Sequence, residues 1–211
     1  GKVTKMYAAS GDSVYYATET SVDAFSLSTA TVSPVPYQGP SLGEIWGVEV
    51  RAGNVLAVSG YGFVAEWAPT PGTVVTTDLV EAGAPADPQS VMGIAAGGGF
   101  AYVGGNGTIA RHALGPVRET TYLRMPGEAK DAEVLNGVLY TGQYNAQGIW
   151  RYDPTSGQSA AQVAAFPGWQ NRPIDTQWDE VNKLLLVAVQ SDTEGGGALW
   201  TYDPATGAST Q

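Results

Sequence analysis

Arg172 and Tyr144 bring together the most specific chemistry that this sequence offers. β-Elimination from a uronic acid needs a cation or amide to neutralise the carboxylate, a base for the neighbouring proton and an acid for the leaving oxygen. Arg172, Asn145 or Gln143 can meet the first need, and Tyr144 or Lys130 the other two. Because tyrosine titrates near about 10, its phenolate would need several kcal/mol of stabilisation, at roughly 1.4 kcal/mol per unit, from neighbouring cations, or another base must act. In the plainer reading Arg172 pairs with Asp175 or Asp179 and Tyr144 caps a loop.

A wider polar set surrounds these residues. Glu44, Gln89, Lys130 and Arg172, with Asp131 and Asn171 beside them, lie just ahead of apolar runs; Glu19, Tyr61, Asn106, Gln143, Tyr144, Asn145 and Asp192 fall at turns further on. Amides and carboxylates bond hydroxyl groups while Tyr and Trp stack on sugar rings. Glu44, Trp46, Tyr61, Gln89, Asn106, Gln143, Asn145 and Asn171 are therefore the candidate binding residues for a glycan or other polar small ligand, and Trp169 is placed to stack in the same way. Turns are polar in any protein, which is the competing explanation for all of them.

Composition narrows the classes. The chain has 211 residues, 20 acidic and 10 basic, a single His and no Cys. Thiol nucleophiles, disulfides and thiolate metal sites are excluded. A net charge of −10 repels nucleic-acid backbones and anionic membranes, and no apolar run is long enough for a membrane-spanning helix. Low charge, absent cysteine and many small hydroxyl residues suit an exported, extracellular protein. No metal is expected: there is no Asp-x-Asp-x-Asp-Gly loop, and Asp131 with Glu133 reads as an ordinary exposed-strand pair.

These residues need elements to position them, and the elements repeat. Five segments of alternating pattern carry Phe25, Trp67, His112, Tyr152 and Tyr202 at equivalent positions, 40 to 50 residues apart. A β-branched or aromatic run precedes each, for example Val55-Leu56-Ala57-Val58 and Leu184-Leu185-Leu186-Val187, and further candidate strands flank the pair. No convincing 3.6-residue period occurs. His112 occupies an aromatic repeat position and so is expected to pack between units. In Asp153-Pro154-Thr155-Ser156-Gly157 and Asp203-Pro204-Ala205-Thr206-Gly207, Asp is expected to bond the amide two residues on, Pro to fix φ and Gly to supply positive φ.

This Tyr-Asp-Pro-x-Thr/Ser-Gly hairpin resembles those of secreted bacterial β-propellers of the quinoprotein-like and polysaccharide-lyase-like superfamilies. The resemblance implies an all-β fold of about five four-stranded blades, spanning 1–39, 40–83, 84–126, 127–168 and 169–211 of one 211-residue domain. Either the fifth blade is short and closes the ring, or the five belong to a larger ring of roughly six to eight blades whose remainder another chain or segment supplies. No cofactor is expected, since the outer strands lack the tryptophan that quinone propellers place there. The expected function is extracellular polysaccharide binding on the loop-lined face, with β-elimination through Tyr144, Arg172 and Lys130 as the cleavage chemistry; the alternative is a non-catalytic scaffold for protein assembly.

Overall fold

Unbroken apolar runs put apolar side chains on both faces of a strand and so need cover on both sides of the sheet, and the chain meets that need by stacking sheets face to face. The computed structural model describes residues 3–69, 74–82, 94–104, 106–192 and 196–211. They form strands and no helix. The first sheet contains β1 (Val3–Ser10), β2 (Ser13–Thr18), β3 (Ser21–Ser26) and β4 (Thr31–Pro34), all antiparallel and in sequence order. The second repeats it with β5 (Ile45–Arg51), β6 (Asn54–Ser59), β7 (Phe63–Trp67) and β8 (Val75–Asp78).

The third and fourth units share a strand. After β9 (Ile94–Gly97), β10 (Phe100–Gly104) and β11 (Asn106–Ala113), the long β12 (Thr120–Leu135) pairs with β11 from Thr120 to Glu128, with an irregularity after Arg124, and from Glu128 onward with β13 (Val138–Tyr144). β14 (Gly148–Tyr152) and β15 (Ala161–Ala165) complete the fourth unit. The last sheet contains β16 (Arg172–Asp179), β17 (Leu184–Gln190), β18 (Gly197–Tyr202) and β19 (Ser209–Thr210). Three four-stranded antiparallel sheets and one of seven strands, in which β12 merges the third and fourth units, give a succession of five sheet units that is consistent with a β-propeller.

The hairpins form as their residues dictate. Asp153 Oδ1 accepts the Thr155 N–H at 3.0 Å and Asp203 Oδ1 the Ala205 N–H at 2.8 Å, while Gly157 and Gly207 hold φ of 69° and 75°. Hydrogen bonds from Thr155 and Thr206 hold both aspartates below the usual carboxylate range.

Apolar residues interlock between consecutive sheets. One core cluster joins the first and second sheets through Ala17, Val22, Ile45, Val48, Val55 and Trp67. A second joins Leu56, Val58 and Leu79 to Ile94, Ala101 and Val103. Tyr102, Ile109 and Met125 meet Ala129 and Leu139 in a third, and Tyr140, Ile149 and Phe166 meet Leu185, Val187 and Val189 in a fourth. The first strand of every unit lines one central cavity of about 340 Å³, to which Tyr7, Glu49, Ile94, Glu133 and Gln177 contribute one wall each.

This packing predicts unequal costs for similar truncations. Leu139→Ala, at a fully buried inter-sheet position, is expected to lower the unfolding free energy by about 2–5 kcal/mol. Leu199→Ala, at a position that is 55% exposed, should change it by no more than about 0.5 kcal/mol. Denaturant unfolding of both variants measures the difference.

Candidate functional site

Antiparallel pairing places the start of each unit's first strand beside the hairpin between its second and third strands: Ile45 pairs with Ser59, Glu128 with Tyr144 and Arg172 with Gln190. The described members of the predicted polar set thus fall at or beside this end of their own sheets. Links between neighbouring sheets continue there, since the Ile45 N–H donates to Glu19 O at 3.0 Å across the first pair.

Two glycines assemble the corner between the fourth and fifth sheets. Gly127 lies so close to the Tyr144 carbonyl that a Cβ would collide with it, and a Cβ on Gly142 would strike Pro173. The absence of side chains lets β12 approach the end of β13, and lets β16 nest onto β13. Arg172 consequently sits with its guanidinium carbon 5.0 Å from the centre of the Tyr144 ring, a cation–π contact. Asn145 follows at φ 63°, a left-handed turn position that asparagine tolerates.

Arg172 pairs with neither Asp175 nor Asp179. Its Nε donates to Asp192 Oδ1 at 2.6 Å, and Asn171 Nδ2 donates to Asp192 Oδ2 at 2.9 Å. Antiparallel pairing of β16 with β17 sets Arg172 opposite Gln190 and so brings Asp192, just past the end of β17, back to the start of β16. Asp192 raises the pKa of Arg172, and Arg172 with Asn171 lowers that of Asp192. Trp169, 49% exposed, stands beside this group, and its carbonyl accepts the Asp192 N–H at 3.4 Å. The loop beneath is anchored by buried Gln170, whose Oε1 accepts the Trp200 indole N–H at 2.5 Å.

The other candidates separate. Exposed Tyr61 packs its ring against Gly43, and exposed Glu44 uses its carbonyl to accept the Gly60 N–H at 2.7 Å. Trp46, expected to stack on a ligand, is half-buried against the core shared with the third sheet, because its place on β5 faces that sheet. Gln143 is fully buried; its Nε2 donates to Thr141 Oγ1 at 2.6 Å, so it does not reach the exposed rim. Asn106 begins β11 and Lys130 lies within β12, at the bulge between Ala129 and Asp131. Gln89 lies outside the described residues. His112 is buried between the second and third sheets, 3.3 Å from Thr77 Oγ1 and 3.0 Å from Thr120 Oγ1. Burial and then Arg118 push its pKa below the usual imidazole value.

Asp131 and Glu133 are not an ordinary exposed pair, for both line the central cavity with Glu49 and Asp175. The free edges of first strands carry N–H groups without ladder partners, and carboxylates of the preceding sheet lie against those of β9 and β16. Asp131 accepts the Thr176 N–H at 2.6 Å, and the N–H groups of Trp178 and Ala96 lie near Glu133 and Glu49 and favour their charged forms. Burial raises the pKa of all three; Glu133, also facing the Glu49 charge, is pushed up to about 7, and Asp131 is raised further by nearby Asp175. A sequence signal existed, because Glu49 and Glu133 occupy the same register, opposite Leu56 and Tyr140. Among the described residues no three acidic or histidine side chains are grouped to hold a metal ion.

No protein family and no curated protein matches this chain. Solved structures do resemble it. A computationally designed protein, Ika8, superimposes with a TM-score of 0.69 at 14% identity, covering 99% of this chain and 60% of its own. A chain of the Mitotic Checkpoint Complex gives 0.70 at 17%, covering 97% and 61%, and the extracellular domain of BT4673 from B. thetaiotaomicron gives 0.70 at 14%, covering 99% and 27%. This chain therefore spans less than two thirds of each of these structures, and at such identities the likeness concerns the fold alone. Among the described residues no helix is long and apolar enough to cross a membrane.

The cavity carboxylates make stability depend on pH. Unfolded carboxylates titrate near about 4 to 4.5. Because folding raises these pKa values, the native state holds more protons between about pH 4.5 and 7, and stability falls as pH rises through that window. The melting temperature is expected to decline from pH 5 to 8, and Glu133→Gln, which retains an acceptor for the Trp178 N–H, to make the decline shallower.

Proposed function

We propose that the five sheets are successive blades of a β-propeller and that the rim around Trp169 binds a neutral, hydroxyl-rich glycan. The observation that carries this reading is an exposed indole held on an anchored loop beside the Asn171–Asp192–Arg172 group. Aromatic faces stack on sugar rings, and fixed amide, carboxylate and guanidinium groups bond hydroxyls directionally. Asn145 and the Tyr144 ring extend the same corner.

Binding has more support than cleavage. β-Elimination requires a cation that meets the substrate carboxylate, whereas Arg172 already faces Asp192, and the acids of the central cavity oppose a polyanion. An extracellular setting fits the cysteine-free, weakly charged composition and the extracellular domain among the similar structures.

Trp169→Ala should weaken binding to neutral oligosaccharides at least about tenfold while leaving the melting temperature unchanged, measured by titration calorimetry after a glycan-array screen. Equal binding by wild type and Trp169→Ala, or no binding across a neutral-glycan panel, would contradict the proposal. Appearance of the ultraviolet-absorbing unsaturated product from a uronic-acid polymer would restore cleavage.

A further inference from the structure

Every blade turns one face to the preceding blade and one to the following blade, and the second strand samples both. Residues facing backward at equivalent positions, Val55, Ala101, Leu139 and Leu185, are each 0% exposed. Their forward-facing neighbours Leu56, Tyr102 and Tyr140 are at most 5% exposed. The pattern fails at both ends of the row. In the first blade the backward-facing residues Val14 and Tyr16 are half-buried, and Tyr7 and Val32, which continue that face across the strand pairs, are 59% and 57% exposed. In the fifth blade forward-facing Leu184, Leu186 and Ala188 are half-buried, beside Leu199 at 55%. Among the described residues no core cluster joins the fifth blade to the first.

We propose that these two end faces are docking surfaces for one further segment of about three four-stranded blades of this same repeat, which closes the ring. The inference rests on the propeller reading and not on the rim's ligand. Three observations select this occupant. The end faces continue the four established interfaces at the same repeat positions, so what covers them must present the same kind of aliphatic second strand.

The fifth blade also repeats the edge device: Gln177 and Asp175 stand opposite Leu186 and Ala188, in the register that Glu133 and Asp131 hold in the fourth. There Asp131 accepts an N–H of the following first strand, so Gln177, with Asp175 beside it, stands where a blade beyond would present such groups. Finally, two unrelated chains superimpose on nearly all of this one while being only about 60% covered themselves. Their remainder amounts to about two thirds of this chain's length, close to three units of the 40-to-50-residue repeat. A second copy would bring five blades and another net charge of −10.

The test compares the 211-residue chain with a product extended in both directions along the same reading frame. In the 211-residue chain, Leu186→Ala and Val14→Ala should each shift the melting temperature by less than about 2 °C. In the extended product each should lower it by roughly 5–15 °C, as Leu56→Ala should in both. Neutral end-face variants in the extended product, or a reading frame that carries no further 40-to-50-residue repeats, would overturn the proposal. So would a stable dimer of the 211-residue chain that Leu186→Asp dissociates, since the occupant would then be a second copy. A harmless Leu56→Ala would instead undo the stacked-blade reading on which the proposal rests.

Discussion

Sheet-on-sheet burial of the second strand is the constraint from which the rest of this structure follows. A strand that is apolar on both faces cannot sit in a sheet with one side in water, so each sheet requires a neighbour before and after it. Four such junctions exist here, each a separate apolar cluster. They order the sheets around a common cavity, and that ordering brings a residue from the fourth sheet, Tyr144, against one from the fifth, Arg172. Gly142 shows the dependence in a single contact, since the space it leaves for Pro173 sets how closely the two sheets approach.

The central cavity adds a polar counterpart to this apolar stacking. First strands have one edge turned away from their own sheet; Asp131 bonds the Thr176 N–H on the neighbouring edge, and Glu49 and Glu133 lie near the N–H groups of Ala96 and Trp178. Burial raises the pKa values of these acids, which marks a cost, and the hydrogen bonds offset part of it. Their clustering therefore follows from acceptors facing backbone N–H groups between neighbouring sheets, as Asp131 faces Thr176. It also makes the cavity an unfavourable path for an anionic substrate, so recognition is better sought at the rim, where Trp169 is exposed.

Much of the framework could be read from residues because it depends on local chemistry. The short apolar runs Val55-Leu56-Ala57-Val58 and Leu184-Leu185-Leu186-Val187 match strands β6 and β17, and the Asp-Pro hairpins make the hydrogen bonds to backbone amides that their residues imply. His112 packs between sheets as its aromatic repeat position suggested. What stayed hidden depends on three-dimensional parity and on distant partners. Gln143 and Tyr144 are adjacent at a strand end, yet opposite side-chain directions bury the first and bring the second to Arg172. The partnership of Arg172 with Asp192 spans a hairpin, and the role of Asp131 and Glu133 requires the next sheet to be present. No local pattern reports the first, and only the shared repeat register of Glu49 and Glu133 points to the second.

Hydroxyl-radical footprinting of the monomeric 211-residue chain tests the central claim most directly, because it reads side-chain exposure residue by residue. The account predicts strong labelling of Tyr7, Tyr16, Leu186 and Leu199 on the end faces, with Leu56, Tyr102, Tyr140 and Leu185 protected. Equal protection of Tyr16, Leu186, Leu56 and Tyr140 would show that the end faces cover each other, and would contradict an arc of stacked sheets with two open ends.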